Sequence, residues 1–349
     1  MSYAMPLKNP YQTPLAIEKS PNNIKARHQH PNLAKSFFER ETQNLAAFCE
    51  AWISQLSRGA RDPFSWIQEL TPAEGLVPFA VAVPTHNHGG AIGRSLERYG
   101  SWQPELTEDL LDALDQAGPD SVFLDIGAGL GWFSFVAAAA NHSVLALEIE
   151  NLNIAAVRRS FCANNQNFGD FTLLGSSETT STTHHALGVT EMLLNVSPRM
   201  IEGLSAPSSS QPREPELPGD HIEERIETLH LARARGSAVL VHPATTREVL
   251  EVMAAGASVV WPEIKPLAIA MVLPVPTSAS GGESGPVSQK KTEEIASLVF
   301  HRMHALGYDV RMDAASNMAQ SPAAFDSLAA MVASGRNSEM LAMWFTWRG

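Results

Sequence analysis

At 349 residues and 44% hydrophobic side chains, the chain can bury a large core and is expected to form one α/β domain preceded by an N-terminal segment. With 37 acids against 25 bases the net charge is −12, which disfavours a broad phosphate-binding surface, so no nucleic-acid partner is expected. No apolar run reaches the roughly 18 residues of a membrane span. The only two cysteines, Cys49 and Cys162, give neither a disulfide framework nor zinc-ligand spacing, which fits a reducing compartment and a cytoplasmic location.

Residues 1–32 are polar and proline-bearing, the pattern of an arm. The first forty residues lack the apolar core of a secretory signal, while Lys8, Lys19, Lys25, Arg27 and Lys35 in a stretch poor in acids leave an organelle transit peptide open. From Leu33 to Leu56, Phe37, Phe38, Leu45, Phe48, Trp52 and Leu56 recur at helical intervals and predict one buried face. This helical extension closes a lead-in of residues 1–75. Phe79–Val83 predicts a short strand, and Thr107–Leu114 a helix with Thr107 as its N-cap. The α/β domain spans 76–315, with loop insertions near 176–220 and 274–292 where Ser, Gly and Pro accumulate. Leu267–Leu273, Ile295–Leu306 and Tyr308–Met312 read as strand, helix and strand, and 316–349 as a C-terminal tail whose Trp344, Phe345 and Trp347 are expected to pack on the core or on a partner subunit. The histidine pairs His86 and His88, His184 and His185, and His301 and His304 lack companion ligands, so no metal site is expected.

Between Val122 and Glu148 the pattern becomes chemically specific. Ser121-Val122-Phe123-Leu124 is short and apolar, as a buried parallel strand should be, and Asp125 ends it. Gly127, Gly129 and Gly131 follow at every second position, around Ala128, and allow a tight turn that a ligand can approach closely. Trp132–Ala140 reads as a crossover helix whose free N–H groups would face a ligand carboxylate. Ser143–Leu147 is the next strand, and Glu148 ends it where an acid in this fold can accept hydrogen bonds from both ribose hydroxyls. Asn151–Asn164 supplies the next helix. The whole reads as a doubly wound, Rossmann-like sheet with helices on both faces and a nucleotide-type cofactor site. A dinucleotide motif, G-x-G-x-x-G, would put its last glycine at Trp132, where close helix–strand packing is needed. A glycine-rich turn with no ligand is the remaining alternative.

The D-x-G-x-G-x-G form is similar to motif I of class I S-adenosylmethionine-dependent methyltransferases. Upstream, Gly100-Ser101-Trp102-Gln103-Pro104-Glu105-Leu106 resembles the lead-in of the FkbM type within that superfamily. Downstream, Glu227-Thr228-Leu229, Glu248-Val249-Leu250-Glu251 with Gly256-Ala257, and Leu306-Gly307-Tyr308-Asp309-Val310 resemble later FkbM-type elements in the same order. The resemblance implies S-adenosylmethionine as cofactor, held by Asp125, Gly127, Ala128, Gly129 and Gly131 on the methionine side and by Glu148 at the ribose. It places Ser176, after the third strand, near the adenine. It also implies O-methylation of a small-molecule or glycan hydroxyl.

One departure bears on that chemistry. Where FkbM-type proteins carry an acid-rich segment at the end of the fourth strand, this chain has Val239-Leu240-Val241-His242-Pro243-Ala244, with Pro243 placed to open the following helix. No carboxylate remains there. His242 is the only titratable group in that stretch, and an imidazole can take a proton from a hydroxyl acceptor, which makes it the candidate catalytic residue. The alternatives are a satisfied structural histidine, and a methyltransferase-like protein that binds cofactor or partner without turnover.

Overall fold

The computed structural model describes residues 34–348 except 60, 120, 165–170, 176–236, 244, 275–285, 313–318 and 335–340. Helix α1 (Ala34–Ser57) leads into β1 (Phe64–Leu70) and β2 (Phe79–Pro84), which pair antiparallel as a sheet of two strands. Only the second of these is predicted by the sequence. In β1 the pairing register shifts between Ile67 and Leu70, and Glu69 sits at φ 59°, so the period-2 pattern that marks a strand is broken. Helices α2 (Gly90–Tyr99) and α3 (Pro104–Ala117) follow. The expected N-cap, Thr107, lies inside α3, which opens on Pro104 in the first position. Its hydroxyl instead donates to the Gln103 carbonyl at 3.0 Å and accepts from Trp132 Nε1 at 3.1 Å.

The main sheet contains β3 (Val122–Ile126), β4 (Ser143–Glu148), β5 (Phe171–Gly175), β6 (Ser237–Val241), β7 (Ala268–Leu273), β8 (Tyr308–Arg311) and β9 (Leu341–Trp347), in the spatial order 5-4-3-6-7-9-8. Strands β3 to β7 pair in parallel, and β9 runs antiparallel between β7 and β8. The fold is therefore the expected doubly wound α/β arrangement. Crossovers are α4 (Trp132–Ala139), α5 (Asn151–Asn164), α6 (Thr246–Val259) with the short α7 (Trp261–Ile264), and α8 (Pro286–Ala305); α9 (Phe325–Ser334) precedes the last strand.

Alternation along each strand divides the core in two. Phe123, Ala146, Ala238, Leu240 and Ala270 face the layer of α3, α4 and β2, whereas Leu124, Ile126, Val239, Val241 and Met271 face α6, α8 and α9. Helix α4 is apolar except for Ser134 and every residue of it is buried, because the β1–β2 hairpin covers the side turned away from the sheet. Phe79 of β2 packs on both Trp132 and Phe135, with ring centroids 5.5 and 6.0 Å apart. Burying such a side chain contributes roughly 1.5–3 kcal/mol.

Three boundaries differ from expectation. The stretch read as a tail supplies α9, which packs on the core, and β9, which pairs with both β7 and β8; its aromatics pack on the core, as one of the two expected placements has it, but as part of the sheet, with Trp344 and Phe345 buried. Helix α8 begins at Pro286, inside the segment read as a loop. Pro243 does not open α6, because Thr245 caps it in a reciprocal pair with Glu248. The insertion near 176–220 lies outside the described residues.

The cysteines also overturn their reading. Cys49 of α1 and Cys162 of α5 form a disulfide in a buried pocket with Trp52, flanked by Phe48, Trp66 and Phe161. A separation of 113 residues carries no spacing signature, and only the packing of α1 across α5 brings the Cα atoms to 5.3 Å. Persistent disulfides belong to oxidising surroundings, so the cytoplasmic expectation loses its cysteine argument. Among the described residues no helix is long and apolar enough to cross a membrane.

Two stability measurements follow. Because the disulfide closes a loop of 113 residues, the C49A/C162A variant is expected to lose about 3–5 kcal/mol of unfolding free energy in urea titration, and reductant should destabilise the wild type but not the variant. At the amino end of the sheet, buried His142 bonds through Nδ1 to Ser121 Oγ at 2.9 Å. Burial holds its pKa below the ordinary 6.5, against a smaller opposing pull from Asp115. The unfolded chain then binds the extra proton first, so this contribution is complete above pH 6.5 and is lost as pH falls below it. H142Q should flatten that part of the acid side of the stability profile.

Candidate functional site

Parallel register sets Asp125 of β3 beside Ala146 of β4 and Leu240 of β6. Residues two apart on a strand share a face. Glu148, two beyond Ala146, and His242, two beyond Leu240, therefore fall on the face that carries Asp125. The β6 pairing extends one residue past the strand, as the His242 N–H donates to the Ile126 carbonyl at 3.0 Å. All three side chains stand at carboxyl ends, where the strand order departs in opposite directions from β3 and β6, the place at which open α/β sheets bind ligands.

Glu148 is 5% exposed and turned toward the glycine turn. One oxygen accepts from the Gly129 N–H at 2.6 Å and, weakly, from Asn153 Nδ2 at 3.4 Å; the other accepts from the N–H groups of Ile149 and Glu150 at 2.7 and 2.8 Å. Burial raises its pKa above the ordinary carboxyl value, and those backbone bonds pull the other way. Asp125 is fully buried. Its Oδ1 meets His242 Nε2 at 2.7 Å, and its Oδ2 accepts from the Ser134 hydroxyl of α4 at 2.5 Å. The His242 and Phe133 rings pack T-shaped, with planes at 82° and centroids 5.5 Å apart.

The turn is pinned to β4 by the Gly127 and Ala128 N–H groups, both donating to the Leu147 carbonyl. Two of its glycines answer to the protein's own packing. At Gly127, φ 86°, a Cβ would lie 3.1–3.2 Å from backbone of His242 and Pro243; at Gly131, φ 84°, it would meet the Phe135 ring at 2.8 Å. At Gly129 a Cβ would meet only the Cδ1 end of Ile92 of α2 at 3.2 Å, a flexible tip, so this is the position at which a ligand could approach. An open hollow of about 580 Å³, lined by Arg94, Arg98 and Tyr99 among others, lies on the outer side of α2 rather than over the turn. Trp132 is taken up between Thr107 and Phe79.

The structure thus brings together Asp125, Gly127, Ala128, Gly129, Gly131, Glu148 and His242. Ser176 and the Glu227–Leu229 segment lie outside the described residues. Ser134 and Asn153 were not singled out in the sequence. Ser134 follows Gly131 by three residues, within the first turn of α4, and that position is the signal that could have found it; Asn153 stands in the first turn of α5, just after Glu148.

No protein-family model matches the sequence, and no curated protein matches it significantly. Among solved structures, the fold is similar to a precorrin-6y C5,15-methyltransferase from Geobacter metallireducens at 13% identity, covering 71% of this chain and 91% of that one, with a TM-score of 0.31. It is also similar to a TehB-like SAM-dependent methyltransferase from Corynebacterium glutamicum, at 10% identity over 73% and 94% of the two chains and a TM-score of 0.32. A geranyl diphosphate C-methyltransferase from Streptomyces coelicolor, solved with Mg2+, geranyl diphosphate and S-adenosyl-L-homocysteine, aligns at 9% identity over 88% and 97%, with a TM-score of 0.33. Likenesses at this level assign no chemistry.

The contrast between the glycines is measurable. G131A must push a methyl into the Phe135 ring, while G129A meets only the movable end of Ile92, so G131A should be the more destabilising by about 1–2 kcal/mol in chemical denaturation.

Proposed function

We propose that the chain is an S-adenosylmethionine-dependent methyltransferase acting on the hydroxyl oxygen of a small-molecule or glycan acceptor, as the FkbM-type resemblance of its flanking segments implies. The observation that carries this reading is the buried carboxylate of Glu148, held beside the glycine turn at the point where the strand order reverses. A carboxylate removed from water costs several kcal/mol unless hydrogen bonds offset it. Its weakest partner, Asn153 at 3.4 Å, marks the lone pair to which a ribose hydroxyl would donate.

The residues present fit the cofactor. Glu148 would hold the ribose, and Gly127, Ala128, Gly129 and Gly131 would form the bend under it, with Ile92 yielding at Gly129. S-adenosylmethionine, when bound, supplies the electrophilic methyl group. His242 is the proton acceptor in this reading, at the end of β6 and on the same face as Glu148. Asp125 has both oxygens engaged within the protein and enters through His242 and Ser134 rather than by direct contact.

One observation favours a second reading, binding without turnover: both carboxylates of the site already accept hydrogen bonds from the chain itself. A nicotinamide-dinucleotide oxidoreductase is disfavoured, because the antiparallel β9 interrupts the 3-2-1-4-5-6 order of dinucleotide folds and Trp132 replaces their third glycine.

Calorimetric titration with S-adenosylmethionine and separately with a nicotinamide dinucleotide tests the cofactor. Binding of the first and not the second is expected, with E148Q weakening it by about tenfold or more, the worth of one charged hydrogen bond. Release of S-adenosylhomocysteine with hydroxylated acceptors then separates enzyme from binder, and preferential dinucleotide binding would overturn the proposal.

A further inference from the structure

The geometry points to a different task for Asp125 from the one its motif implies: it is a positioning residue that fixes the His242 imidazole through Nε2, leaving Nδ1 as the nitrogen that accepts the acceptor's proton. The inference deepens the methyltransferase reading and rests on it for the word acceptor, but the contact itself does not.

Three observations carry it. First, Asp125 is 0% exposed, with His242 at 2.7 Å from one oxygen and Ser134 at 2.5 Å from the other, so burial behind these two side chains, rather than a lack of lone pairs, keeps its carboxylate from meeting a cofactor ammonium directly. Second, the hydrogen bond spans two chain segments 117 residues apart that the sheet register forces onto one face. Val241, one residue earlier, is buried on the opposite face against α6 and α8. A histidine at 242 can reach Asp125, whereas one at 241 would point away from it. Third, Nδ1 has no hydrogen-bond partner among the described residues, and the ring, packed T-shaped against Phe133, keeps 12% of its side-chain surface exposed. A base whose far nitrogen is tied to a third group, itself tied by a fourth, is the arrangement that holds an imidazole in one tautomer and one orientation. The donor set is consistent: Ser134 O–H and His242 Nε2–H donate, and the Asp125 oxygens accept.

The proton step closes without another reactant. S-adenosylmethionine, when bound, would supply the methyl group and keep the electron pair of the broken S–C bond as S-adenosylhomocysteine; as the acceptor oxygen forms its new bond to that carbon, its hydroxyl proton passes to Nδ1. The imidazolium so formed keeps Nε2–H on Asp125 and returns the Nδ1 proton to solvent after product leaves.

The test uses the full chain labelled with nitrogen-15 histidine, with H242Q assigning the resonance. A free imidazole N–H exchanges with water too quickly to be seen, so the wild type should show a downfield His242 Nε2–H proton protected from exchange, retained in S134A and lost in D125N. D125A, in which no side-chain acceptor remains, provides the same readout should the asparagine keep a residual bond. Calorimetry on D125N with S-adenosylmethionine separates the positioning role from the motif's implied one: affinity within about threefold of wild type is expected, against a loss of about tenfold or more for a direct cofactor ligand. With a competent acceptor, D125N should lower kcat by about a hundredfold while leaving KM for the cofactor in place. An unprotected His242 in the wild type, or a protected one in both Asp125 variants, overturns the inference. Failure of the wild type to bind S-adenosylmethionine would instead sink the methyltransferase reading and leave the proton measurement standing.

Discussion

Register among β3, β4 and β6 is the constraint on which the site depends. The three strands are locked residue against residue, Asp125 with Ala146 and with Leu240, and the two-residue period then leaves no choice about where Glu148 and His242 project. A slip of one residue in β6 would send His242 into the apolar layer beneath α6 and bring Val241 to Asp125. That layer, with Val249, Met253 and Phe300, has no room for a polar ring and strongly opposes the slip. Core packing on one face of the sheet thereby sets the chemistry presented at the rim of the other.

The polar groups at that rim are costly to keep. Two carboxylates and an imidazole sit in a region otherwise filled by Phe123, Phe133, Leu130 and Val157. The chain offsets the desolvation with directed bonds: backbone N–H groups for Glu148, a hydroxyl and a ring nitrogen for Asp125. Rigidity is the result, since each acceptor has its donors assigned before any ligand arrives. The glycines contribute in the same sense, because Gly127 and Gly131 allow backbone and aromatic side chains to close around the turn rather than leaving it open.

Much of this was legible in the sequence. The Val122–Glu148 stretch spells strand, turn, helix and strand with almost no ambiguity, because buried parallel strands are short apolar runs and the glycines punctuate them. Asn151–Asn164 is observed over the span expected. What escaped was long-range. The Asp125–His242 contact depends on pairing between segments 117 residues apart, and the disulfide on helix packing across 113. β1 was hidden by a bulge, and β9 by the habit of reading an aromatic C-terminal stretch as a tail, although Leu341–Trp347 buries its centre as an inner strand does. The motif-derived role of Asp125 illustrates the same limit: residue type and spacing named a carboxylate at the right place without revealing which groups would occupy it.

The position of β9 has a consequence for how the molecule is assembled. β8 precedes it in the chain yet, among the described residues, pairs with no other strand; apart from the Val310 carbonyl, which accepts from the Gln320 N–H at 2.7 Å, its ladder waits until residues 341–347 arrive and slide between it and β7. Synthesis from the amino end would therefore hold Tyr308–Arg311 in waiting, with one edge of β7 uncovered, through the whole of α9. Completion of the sheet is an act of insertion rather than addition, and a chain cut short before Leu341 would expose two open strand edges of the kind that recruit neighbouring molecules.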